Sequence, residues 1–96
     1  MSDFIIDHHS DLLELLEEDG ELSQRILSSR VLGREAAKYL KQSKTLKNRT
    51  IAVLENNINN NYKSTIAKEW AVKLDQPLEY TLLILEAFLA GIKEKL

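Results

Sequence analysis

The chain contains no cysteine. That single absence excludes a disulfide scaffold, a thiolate zinc site and a thiol nucleophile together. Proline occurs once and glycine three times in 96 residues, too few for the turns that an all-β or loop-rich protein consumes. No apolar run approaches the roughly 18 residues that would suggest a bilayer span, and no basic and apolar leader opens the sequence. The expectation is a cytoplasmic protein without membrane association. Basic residues are missing altogether from Met1 to Leu22, where eight acidic ones stand. From Ser23 to Thr50 the imbalance reverses, with eight basic residues against Glu35 alone. The net charge of −2 therefore conceals two blocks of opposite sign.

Hydrophobic residues at 44% and charged residues at 29% are ordinary for a globular domain. With so little turn chemistry the fold class is all-α, a compact bundle of five to six short helices forming one domain over residues 1–96. A chain of 11.0 kDa buries only about 60–65% of its unfolded surface, which leaves no room for a large cofactor. None is expected.

Apolar spacing outlines the helices. Ile5, Leu12, Leu13 and Leu16 form one stripe on a first helix that Gly20 stops. Leu22, Ile26 and Leu27 mark a second, with Gly33 as its possible cap. A third runs from Arg34 to about Gln42 with Leu32, Ala36, Tyr39 and Leu40 on one side; if it fuses with the second, the count is five. Ser43 is placed to cap the next helix, which carries Leu46, Val53, Leu54 and Ile58 inward and ends in a cluster of five asparagines. Tyr62 to Leu74 resumes helical spacing around Trp70, read as a core anchor. Asp75 is positioned to cap the last helix, with Pro77 in its first turn.

That last helix, from Leu78 to about Lys95, is apolar nearly all round. Such a helix is either central to its own domain or shared with another chain. The spacing favours a homodimer with an interface at Leu82, Leu85, Phe88, Leu89 and Ile92.

No constellation argues for catalysis, and the protein is expected not to be an enzyme. His8 and His9 are adjacent, so on a helix they point about 100° apart and do not converge on a metal; no metal site is expected. Gly20, Gly33 and Gly91 are scattered and form no phosphate loop.

The middle of the chain carries the functional signal. Glu35-Ala36-Ala37-Lys38-Tyr39-Leu40, then Ser43, then Arg49-Thr50-Ile51 and Leu54-Glu55-Asn56-Asn57, resembles a helix-turn-helix of the Cro/excisionase kind over Glu35–Asn57. The resemblance implies a small crossing residue at Ala36 or Ala37, a turn at Gln42-Ser43 and a second helix that enters the major groove. Where the family has a turn glycine, Lys41 stands. Thr45, Asn48, Arg49, Ala52 and Asn56 would then face outward, with Asn48 and Arg49 suited to base edges.

Arg34, Lys38, Lys41, Lys44 and Lys47 suit phosphates. The function expected is a small nucleic-acid-binding regulator, with DNA ahead of RNA as ligand. The acidic first helix, through Glu14, Glu17 and Glu18, would recruit a protein partner or steer orientation. The alternative is a protein–protein assembly module that pairs acidic with basic faces, as death-domain adaptors or small helical subunits of nucleoprotein complexes do. The plainest reading of the charge split is an intramolecular match, the acidic first helix lying against the basic third one.

Overall fold

A computed structural model describes residues 3–17, 20–60 and 65–96. They form five helices: α1 (Phe4–Glu17), α2 (Leu22–Leu40), α3 (Lys44–Asn59), α4 (Thr65–Leu74) and α5 (Leu78–Lys95). No helix among the described residues is long and apolar enough to cross a membrane. The fold class is all-α, as the composition requires.

Asp3 starts α1 by accepting the Ile5 amide at 3.0 Å, which satisfies one of the first-turn donors that lack a helical partner. The helix buries Phe4, Ile5, Leu12, Leu13 and Leu16. Gly20 then adopts a φ of 67°, the left-handed geometry that glycine takes at no steric cost.

The second and third helices anticipated from the sequence are one continuous helix, α2, and Gly33 lies inside it rather than capping it. The missing side chain serves tertiary packing. α2 runs alongside α5 in the same direction: Ser29 Oγ donates to the Ile84 carbonyl at 2.7 Å, and farther on Arg34 Nε reaches Glu94. A Cβ at Gly33 would overlap the Phe88 carbonyl oxygen, and a Cβ at Gly91 the Arg30 carbonyl oxygen. Backbone therefore meets backbone at this crossing.

α5 is the central element. Thr81, Ile84, Leu85, Phe88, Gly91 and Ile92 are buried. This corrects the expected oligomer interface. Leu85, Phe88 and Ile92 are fully covered and Leu89 is 8% exposed within the single chain, with Leu82 half-buried. They serve the chain's own core, so the all-round apolar pattern marks a central helix and not a seam.

Two loop assignments also change. Asp75 does not cap α5. It takes a φ of 53° and ends α4, where the Gln76 amide donates to the Ala71 carbonyl at 3.0 Å and its own amide reaches the Val72 carbonyl at 3.3 Å. That is the hydrogen-bond pattern of a left-handed helix ending. Pro77 occupies the position before α5. Asn57, read only as part of a helix-breaking cluster, is buried. Its Nδ2 donates to the Val53 carbonyl at 2.9 Å and its Oδ1 accepts the Ile66 amide at 3.0 Å, pinning the start of α4 to α3. Tyr62 lies outside the described residues.

Trp70 is fully buried, edge-on to Phe88 with ring centroids 6.3 Å apart. Its indole N–H donates to His9 Nδ1 at 3.1 Å. His9 Nε2 lies 3.7 Å from Glu69 Oε2. The two histidines are wall residues of the fold: His8 stacks on Phe4 with centroids 4.7 Å apart. Tyr39, expected inward, is 46% exposed and lies over the same Phe4 ring at 5.5 Å.

Candidate nucleic-acid interface

α2 ends at a tight corner. The Lys41 amide donates to the Ala37 carbonyl at 3.0 Å, Gln42 to Tyr39 at 3.2 Å and Ser43 to Leu40 at 3.2 Å. Ser43 then turns extended, with φ −144° and ψ 112°, and its Oγ accepts the Leu46 amide that opens α3 at 3.2 Å. Removing that acceptor in Ser43→Ala is expected to cost about 1 kcal/mol, read as a melting temperature lower by roughly 4–8 °C.

α3 exposes the face its spacing places outward, but of the four residues expected inward only Leu54 is buried, with Leu46, Val53 and Ile58 half-buried. Thr50, Leu54 and Asn57 are buried, while Lys44, Thr45, Asn48, Arg49, Ala52 and Asn56 are exposed and Lys47 is half-buried. Lys41 is exposed at the end of α2. Among the described residues Lys41, Lys44 and Lys47 hold no ion pair, and the first turn of α3 contains no acidic residue. Cations at a helix N-terminus meet the positive end of its dipole, at a cost of about 0.3–1 kcal/mol each. An anion bound there would be attracted by both.

The remaining residues of the basic block are differently disposed. Arg30 Nη2 donates to Glu94 Oε1 at 2.7 Å and Arg34 Nε to Glu94 Oε2 at 2.8 Å, a clamp across α2 and α5. Lys38 Nζ lies 3.2 Å from Glu35 Oε1 one turn back. Arg25 is not on the surface at all; it is 8% exposed and its Nη1 donates to the Leu74 carbonyl at 2.9 Å.

The hydrogen bonds from Arg34 and then Arg30 hold the Glu94 carboxyl down from its ordinary 4.5 to about 2. A depressed carboxyl stabilises the fold above its unfolded value and loses that contribution as pH falls toward its folded value. Glu94→Gln should therefore melt below the wild-type chain by a gap that is constant at neutral pH. The gap should narrow below about pH 4.5 and be mostly gone near pH 2. A gap that survives at pH 2 would assign the effect to packing instead of charge.

The acidic first helix does pack on the end of α2, within the basic stretch, but through rings, Phe4 and His8 against Tyr39, and no salt bridge among the described residues joins the two. Asp7, Asp11, Glu14 and Glu17 are exposed and hold no ion pair among the described residues. Lys93 pairs with Glu55 at 3.3 Å, and among the described residues no salt bridge involves an α1 carboxylate. Glu18 lies outside the described residues. Among the described residues no cluster of three metal-ligating side chains is found.

Sequence reasoning missed Ser29, Gly33 and Gly91 as crossing residues, Arg25 as a buried cation and Asn57 as a remote cap. One signal was available: Ser29 and Gly33, like Ala87 and Gly91, are small residues four apart, the spacing of close helix crossings. No protein family, characterised protein or solved structure matches the chain.

Proposed function

We propose that the protein is a small nucleic-acid-binding regulator, DNA ahead of RNA, and that it binds through the corner where α2 meets α3. The observation that carries this reading is the set of cations at Lys41, Lys44 and Lys47, without ion pairs among the described residues, gathered at the positive end of a helix dipole. A folded protein keeps such a cluster at a cost to its own stability, which a bound phosphate backbone removes. Those three lysines and Arg49 would neutralise phosphates, with Thr45 and Asn48 beside them for base edges. Arg34 and Lys38, already engaged with Glu94 and Glu35, contribute less than the sequence alone suggested.

Fluorescence anisotropy with labelled duplex DNA, single-stranded DNA and RNA at several salt concentrations tests the reading. About four phosphate contacts imply that log K falls against log salt with a slope near −3 to −4. The Lys41→Ala/Lys44→Ala/Lys47→Ala variant should lose at least about tenfold in affinity and flatten that slope by about three. Absence of binding to all three probes would refute it. A second reading, an assembly module, has its own support: the open acidic face of α1.

A further inference from the structure

α1 and α4 enclose an open groove of about 730 Å³. It is lined on α1 by Leu13, Glu14 and Glu17 and on α4 by Lys68, Val72 and Lys73. All four charged residues are exposed, and none of them is in an ion pair among the described residues. Glu69 also lines the α4 wall, exposed and facing His9 Nε2 at 3.7 Å, so that wall carries two positive charges against one negative. Val72, which lines the groove, is 83% exposed, the most exposed large aliphatic residue described.

We infer that this groove is the interface of a homodimer, each copy's α4 edge seated in the groove of the other. A groove with one acidic and one basic wall is complementary to itself under a two-fold rotation: Glu14 and Glu17 of one copy meet Lys68 and Lys73 of the second, and the reverse pair forms at the same time. Val72 enters over Leu13 and is removed from water. A ligand of single charge fits less well, since one wall would repel it. The interface leaves the α2–α3 corner uncovered, so it stands apart from the nucleic-acid reading.

Sedimentation equilibrium without nucleic acid tests it. The wild-type chain should show twice the monomer mass at sub-millimolar concentration. Glu14→Lys/Glu17→Lys alone and Lys68→Glu/Lys73→Glu alone should each be monomeric, because both of their interface contacts become like-charged. Mixed in equal amounts, the two variants should form a heterodimer, since every contact is then of opposite sign. Circular dichroism melts verify that each variant is folded, and Val72→Asp offers a second route to the monomer. A wild-type monomer at every concentration overturns the inference. So does a dimer that survives either reversal, or a mixture that fails to associate. Failure of DNA binding in the anisotropy experiment leaves this result unaffected.

Discussion

Replacing Gly33 with alanine is expected to lower the melting temperature by roughly 12–24 °C, equivalent to about 3 kcal/mol, and Gly91→Ala should do the same. Helix propensity alone predicts the opposite sign, a gain of about 1 kcal/mol per substitution. The crossing decides the outcome. A Cβ at Gly33 would overlap the Phe88 carbonyl oxygen and stand 3.0 Å from Gly91 Cα and from Ile92 N. All three obstacles are backbone, which cannot swing away as a flexible side chain can. The helices must part, and parting them loosens Ser29 from the Ile84 carbonyl and the packing around Phe88 in the centre of the core.

Two further outcomes make the argument specific. The double variant should cost clearly less than the sum of the singles, because helices moved apart for one methyl have already opened room for the other. Gly20→Ala should cost only about 1 kcal/mol: no atom lies within 4 Å of its added Cβ, and the penalty is the φ of 67° alone. Urea melts of the four variants read these differences directly. An additive double variant, or singles that melt with the wild type, would remove the crossing as the organising contact of the fold.

The same crossing explains what the sequence could and could not disclose. Local signals were legible. The apolar stripe of α1, the Ser43 cap and the outward face of α3 all follow from spacing within one helix. So did the five-helix alternative. Pairing between helices was not legible, because glycine in a helix reads identically whether it ends the element or admits a neighbour. Gly33 was taken for punctuation on that account.

α5 posed the related ambiguity. Its apolar circumference is compatible with a central helix or a shared one, and only the packing of α2 and α4 around it distinguishes them. Charge was legible as segregation but not as pairing. Eight basic residues in one stretch divide into a buried one, Arg25, a pair clamped by Glu94, one turned to its own helix, and the corner set. Nothing in their linear order separates these fates, since each partner lies dozens of residues away or one helical turn along.

Arg25 gives the other large expected effect. Arg25→Ala should lower stability by about 3 kcal/mol while leaving nucleic-acid affinity unchanged, measured well below the melting temperature. The guanidinium is nearly covered, at 8% exposed, and donates through Nη1 to the carbonyl of Leu74, the last residue of α4. It therefore sits at the negative end of that helix's dipole, the position where a partly buried cation contributes up to about 2 kcal/mol. Its apolar stem fills space between α2 and the end of α4.

Truncation removes the donor, the dipole contact and the packing at once. Arg25→Met should recover part of the loss by restoring the stem. It also removes a buried charge whose Nε has no partner, a desolvation penalty the native chain carries. The order expected in thermal melts is wild type, then Met, then Ala. An alanine variant that melts with the wild type but binds DNA more weakly would place Arg25 on a phosphate-contacting surface and contradict its burial.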